Sequence, residues 1–240
     1  MQRPVPWYVW GKDGGVHTES VLTVKKKREK PLRMLFIGNS FTQRNDLPGL
    51  LAGLAEQQGV SVTHDLMSIG GASLRTHWNA GTAAEAISTG QYDFVVLQEQ
   101  STLPVKNAAR MAENMRLFDA VIKRAGAKTV LYMTWARQHT PESQQVIADA
   151  YFAIGKELGA IVVPVGIAWR AFLATHKSPV LHDRDQSHPT LAGSYLAACV
   201  FLAVLLRLNP LECDAAPAGM DAEAARTVQA VAAESRPLPH

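Results

Sequence analysis

Cysteine is nearly missing from this sequence: Cys199 and Cys213 are the only two in 240 residues. That is too few for a disulfide framework, and their spacing suggests no metal site, so a reducing compartment is compatible. Excess charge of one sign is also scarce. Lys and Arg total 24 against 21 Asp and Glu, a formal net charge of +3. Much of the excess sits in Lys25-Lys26-Lys27-Arg28 with Lys30. Outside that run the chain is close to neutral, which gives a nucleic-acid partner little support. No apolar run reaches the roughly 20 residues of a membrane span; Leu191 to Leu206 comes nearest, but it contains Gly193, Ser194 and Tyr195 and reads as a buried helix. The first residues, with Pro4, Pro6, Trp7, Tyr8 and Trp10, lack the basic-then-apolar pattern of a signal peptide. A cytoplasmic protein is expected on that basis, with export left open.

What is present is an ordinary globular balance, 47% hydrophobic and 19% charged, with length enough for one large domain. Residues 1–30 stand apart: two β-prone runs flank Gly11-Lys-Asp-Gly-Gly15 as in a hairpin, and the basic linker follows. From Arg33 on, strand and helix alternate. Met34 to Ile37, Ser61 to Met67, Phe94 to Leu97, Thr129 to Met133 and Ile161 to Val165 are short and rich in branched residues, as strands are. Helical spacing marks Leu47 to Gln58, Ala80 to Ser88, Ala108 to Arg124, Glu142 to Leu158 and Thr190 to Leu206, with Gly59, Gly159 and Pro210 at or beyond helix ends. Such a βαβ series predicts an α/β fold, a three-layer α/β/α sandwich around a parallel sheet of about five strands. Residues 213–240 read as a closing helix and tail.

Ligands of open parallel sheets bind at the carboxyl ends of the strands, and four polar segments fall there. Gly38-Asn39-Ser40-Phe41 puts a serine at the turn from strand to helix. It is either a nucleophile, which needs a base oriented by a third group, or a turn or capping serine. His182-Asp-Arg-Asp-Gln-Ser-His188-Pro189 precedes the last long helix. Asp185 could orient His188 toward the serine; the two histidines and two aspartates could instead ligate a metal, or the cluster could be a solvated loop. Gly70-Gly71 is a tight turn or a source of backbone N–H groups for an oxyanion. Leu97-Gln98-Glu99-Gln100-Ser101 carries an amide donor at the same level of the sheet, in what is otherwise ordinary loop.

In this order, the four segments resemble the SGNH hydrolase superfamily. Gly38-Asn39-Ser40-Phe41 is similar to its first block, Gly71 to its second and Asp185-x-x-His188 to its last. The third block departs: Leu97-Gln98-Glu99-Gln100-Ser101 stands where Gly-x-Asn-Asp is typical, so Gln98 would have to supply the donor normally given by Asn. Gly70-Gly-Ala-Ser-Leu-Arg-Thr-His77-Trp78, Thr134-Trp-Ala136 and Pro164-Val-Gly166 are similar to a branch first defined as a domain of unknown function, over about Arg33 to Leu206.

The resemblance implies a flavodoxin-like hydrolase domain over residues 31–212 and a serine esterase without cofactor or metal. Ser40, His188 and Asp185 would be its triad, with the N–H groups of Ser40 and Gly71 and the Gln98 amide as the oxyanion hole. Asn39, His77, Trp78 and Trp135 would contact substrate. A neighbouring branch of sugar O-acetylesterases makes an acetylated carbohydrate the attractive substrate, with no nucleic acid or membrane partner. The rival readings are a metal-dependent hydrolase built on His182 to His188 and a non-catalytic carbohydrate-binding protein of the same fold.

Overall fold

The computed structural model describes residues 30–235; the suggested N-terminal hairpin and basic run, and the last residues of the tail, lie outside them. Five strands, β1 (Leu32–Gly38), β2 (Val62–Ser68), β3 (Phe94–Leu97), β4 (Lys128–Tyr132) and β5 (Ile161–Val163), form one sheet in the order β2-β1-β3-β4-β5. Every pairing is parallel. The helices are α1 (Ser40–Gln43), α2 (Leu47–Gln57), α3 (Leu74–Ala80), α4 (Thr82–Thr89), α5 (Leu103–Lys106), α6 (Ala108–Arg124), α7 (Ser143–Leu158), α8 (Val165–Thr175), α9 (Leu191–Leu205) and α10 (Ala222–Ala233).

Side chains alternate across a strand, and in β1 both faces are buried. Met34 and Phe36 join the core under α2, α8, α9 and α10, whereas Leu35 and Ile37 join the one under α3, α4, α6 and α7. The expected three-layer sandwich is what the chain forms. Local chemistry sets the helix ends. In α6, Met111, Met115, Phe118 and Ile122 fall on one buried face, and the Asn107 side chain caps the Arg110 N–H.

Two boundaries differ from the sequence reading. The helix expected from Ala80 to Ser88 starts earlier, at Leu74 behind the Ser73 cap, and breaks at Gly81, whose φ of 76° is left-handed. The strand expected to reach Val165 stops at Val163, because Pro164 has no N–H for the ladder and leads instead into α8. The closing helix is no appendage. Ala225, Val228 and Ala232 of α10 are buried in the same core as α9, so the helix packs as part of the sandwich. This packing explains the long apolar run: α9 is buried on all sides. No helix among the described residues is long and apolar enough to cross a membrane.

Candidate active site

Strand order reverses direction between β1 and β3, and the crevice at such a switch point is where doubly wound sheets bind ligands. Ser40 leaves β1 there, and Gln98 to Ser101 leave β3 beside it. The tight exit of β1 depends on two residues. A side chain at Gly38 would bring a Cβ to 2.5 Å from Gln98 Oε1 and 2.8 Å from Thr42 Oγ1. Asn39 caps α1: its Oδ1 accepts from the Phe41 N–H at 3.1 Å and its Nδ2 donates to the Ala72 carbonyl at 2.9 Å. Ser40 thus stands at the first position of a capped helix, where its own N–H has no partner within the helix.

Across the crevice, the segment from Leu181 to Thr190 folds back on itself. His182 bridges to Pro189, and the Asp183 N–H donates to the His188 carbonyl at 2.8 Å. His188 Nε2 lies 2.7 Å from Ser40 Oγ, and His188 Nδ1 is hydrogen-bonded to Asp185 Oδ2. The other oxygen of Asp185 accepts from the Ser187 N–H at 3.0 Å and the His188 N–H at 2.9 Å. Burial pushes the Asp185 acid up, but the His188 ring and those two N–H groups outweigh it and hold the carboxyl well below the usual carboxylate range. The sequence places these three residues 148 positions apart at the extreme, and the fold brings them into one hydrogen-bonded line.

The His182 to His188 cluster is otherwise dispersed. His182 Nε2 donates to the Ala136 carbonyl at 3.1 Å, its ring sits edge-on to Trp169, and burial depresses its pKa. Asp183 is paired with Arg44 at 2.6 Å. No group of three or more His, Cys, Asp or Glu able to hold a metal ion exists among the described residues. The cysteines are both free thiols, buried near α9 and α10.

Gly71 has a left-handed φ of 69° and is exposed in the loop after β2. Gln98, expected to supply an oxyanion donor, has its side chain engaged inside the turn. It is fully buried; Oε1 accepts from the Asn39 N–H at 2.9 Å and Thr42 Oγ1 at 3.0 Å, and Nε2 donates to the Glu99 carbonyl. An N–H donor faces Oε1, so the amide orientation is fixed; one Nε2 hydrogen is engaged by the Glu99 carbonyl, and the group has no exposure to solvent. Gln100, two residues on, was not singled out from sequence. It is half-buried, its Oε1 accepts from the N–H and hydroxyl of Thr102, each at 2.9 Å, and its Nε2 has no hydrogen bond among the described residues. The pattern Gln-x-Gln was the available signal, since a second amide follows two residues on.

The expected substrate contacts also need correction. Asn39 is 2% exposed and holds the turn. His77 is buried with Nε2 donating to the Gly38 carbonyl at 2.7 Å, and Trp78 packs edge-on against Phe118. Trp135 is 1% exposed, stacks on Trp169 with centroids 3.8 Å apart, touches Phe41, and donates from Nε1 to the Ser187 carbonyl at 3.0 Å. Asn39, His77 and Trp135 are thus buried with their polar groups paired inside the protein, and Trp78 is half-buried.

The sheet of this order brings serine, histidine and aspartate together at its switch point. Solved structures agree on the fold. A candidate SGNH hydrolase from Slackia heliotrinireducens is 28% identical with a TM-score of 0.63, over 73% of this chain and 99% of that one. A DUF4886 family protein from Bacteroides uniformis superposes with a TM-score of 0.73 at 23% identity, over 86% and 95% of the two chains. An acetylxylan esterase from Geobacillus stearothermophilus gives 0.54 at 16% identity, over 75% and 96%. No family model and no curated protein matches the sequence. The chain has the fold of the SGNH-like hydrolase superfamily, and its structural neighbours are SGNH hydrolases and carbohydrate esterases.

Proposed function

We propose that the protein is a serine esterase that cleaves carboxylic esters through an acyl-enzyme. The observation that carries this reading is the 2.7 Å contact from Ser40 Oγ to His188 Nε2, with Asp185 bonded to the other ring nitrogen. A serine hydroxyl is a weak nucleophile unless a base takes its proton, and the base acts only in the tautomer that the carboxylate enforces. Ser40 Oγ attacks the ester carbonyl as its proton passes to His188 Nε2. The tetrahedral intermediate collapses, the leaving alkoxide takes that proton, and the acyl group stays on Ser40. Water, deprotonated by the same histidine, then releases the acid and restores Ser40.

The negative oxygen of each intermediate is met by the Ser40 N–H, the Gly71 N–H and the side-chain amide of Gln100. Supporting this assignment are the helix-start position of Ser40, the exposed left-handed Gly71 and the unengaged Nε2 of Gln100. The substrate class we propose is a short acyl ester, such as an O-acetyl group on carbohydrate. Two acetylxylan esterases and a family 3 carbohydrate esterase of Clostridium thermocellum among the neighbours support it.

The test is hydrolysis of p-nitrophenyl acetate and longer-chain esters by wild type and Ser40→Ala, with EDTA and with a serine-directed organophosphonate. Activity that resists EDTA, labelling at Ser40, loss on Ser40→Ala and preference for the short chain are the expected results. Activity that survives Ser40→Ala, or that EDTA abolishes, would overturn the triad.

A further inference from the structure

The esterase reading makes no use of Glu99, yet this carboxylate is fully buried directly beneath the crevice. Burying an ionised acid is unfavourable unless hydrogen bonds replace its water; burial raises the Glu99 pKa, and three hydrogen bonds in a particular arrangement oppose that rise. Oε1 accepts from two backbone N–H groups at once, Leu74 at 2.9 Å and Gln100 at 2.7 Å. Oε2 accepts from Asn114 Nδ2 of α6 at 2.8 Å, and Asn114 Oδ1 accepts in turn from Arg75 Nε of α3 at 2.9 Å. Leu74 opens the helix that follows the Gly70-Gly71 loop, and Gln100 lies in the loop after β3. One oxygen therefore ties together the two segments that bear the proposed Gly71 and Gln100 donors.

The chemistry requires an acceptor-only side chain. Three N–H groups converge on Glu99, and an ionised carboxylate accepts all three without offering a hydrogen of its own. An amide at this position would turn an N–H against Asn114 Nδ2, and Asn114 could not rotate to answer it without losing Arg75.

We infer that Glu99 is the positioning residue of the oxyanion hole, fixing the Gly71 loop against Gln100 so that both donors meet the developing negative charge. This inference rests on the Ser40 esterase reading. Donors that act on the transition state change kcat when displaced and leave KM nearly alone; a residue that only held the fold together would change stability and leave the turnover of each folded site intact.

The experiment compares wild type, Glu99→Gln, Asn114→Asp and the double variant on p-nitrophenyl acetate. Active sites are counted by phosphonate titration, and thermal melting is recorded in parallel. Either single change sets two like groups against each other: two amides in Glu99→Gln, two carboxylates in Asn114→Asp. In the double variant the introduced amide at 99 donates to the introduced carboxylate at 114, which still receives Arg75. Each single variant is expected to lose roughly 10- to 100-fold in kcat per titrated site, as for a small displacement of a reacting group, with KM nearly unchanged. The double variant is expected to regain most of that loss, the coupling a direct contact gives.

Wild-type kcat per site in Glu99→Gln, or a double variant no better than its singles, overturns the inference. If Glu99→Gln does not fold, Asn114→Asp against the double variant decides in the same way. Ester hydrolysis that persists in Ser40→Ala would overturn the esterase reading and this inference with it, whereas an active wild type, a silent Ser40→Ala and an unaffected Glu99→Gln would sink this inference alone.

Discussion

At Asp185 two opposing influences meet: partial burial raises the carboxyl pKa, and the hydrogen bonds from His188 and Ser187 lower it further than burial lifts it. With the folded value depressed, the interaction is in place above the ordinary carboxylate value of about 3.9 and is lost only as pH falls through the lower, folded one. Asp185 is therefore ionised wherever a histidine titrates. The acid limb of a kcat/KM profile near neutral pH should contain no proton taken up by Asp185; a two-proton slope would contradict this. Asp185→Asn should keep the fold and lower kcat by roughly 10,000-fold, the effect of losing the correct tautomer. For Gln100→Ala, a fall of about 100- to 1000-fold is expected from the loss of one oxyanion donor. A wild-type rate in that variant would return the third donor to an unassigned group. Gly38→Ala should lower stability by about 1–3 kcal/mol in urea unfolding, because Gln98 and Thr42 already occupy the space.

At the level of elements, the Leu181 to Thr190 segment is held by its neighbours as well as by its own bonds. Trp135, just beyond β4, donates to Ser187; the Gln138 N–H donates to Gln186 at 2.9 Å; Asn45 Nδ2 reaches the Pro189 carbonyl at 3.4 Å and Ser194 Oγ at 2.9 Å. The loop that carries His188 is thus fixed to the strand end on one side and to the segment after Ser40 on the other. Trp135→Phe preserves a ring against Trp169 and Phe41 and removes the bond to Ser187. A stability loss of about 0.5–1.5 kcal/mol is expected from one hydrogen bond, with a larger fractional loss of kcat as His188 loosens. Trp135→Ala should lose about 3–5 kcal/mol by leaving a cavity. Urea denaturation beside ester kinetics checks both, and an unchanged kcat in Trp135→Phe would remove the bracing role.

Across the whole molecule, α9 is the helix on which the sandwich depends. It is buried on all sides because α2 and α8 lie to its flanks and α10 covers it from outside. Val228 of α10 is fully buried in that interface. Val228→Asp would place an unpaired charge there, and a loss of at least ~3 kcal/mol is expected, with aggregation as the apolar face of α9 is uncovered. Thermal melting and light scattering measure it; a soluble variant with the wild-type melting temperature would show that α10 is dispensable.

The sequence by itself determined the layers, the strand and helix order, and the identity of the serine, histidine and aspartate. Periodicity, caps and the Asp185-x-x-His188 spacing are local properties that survive without a fold. Only the tertiary structure decided which polar residues face the crevice. Gln98 and Gln100 read alike as neighbours at a strand end, and so do His77, Trp78 and Trp135 as polar or aromatic residues beside it. Whether each points at a ligand or braces the site from behind depends on partners between 34 and 59 positions away, Asn39 for Gln98, Gly38 for His77, Ser187 and Trp169 for Trp135. Glu99 shows the same dependence: an acid after a strand is ordinary loop in sequence, and it becomes a buried three-bond anchor only because β3, α3 and α6 bring their N–H groups to it.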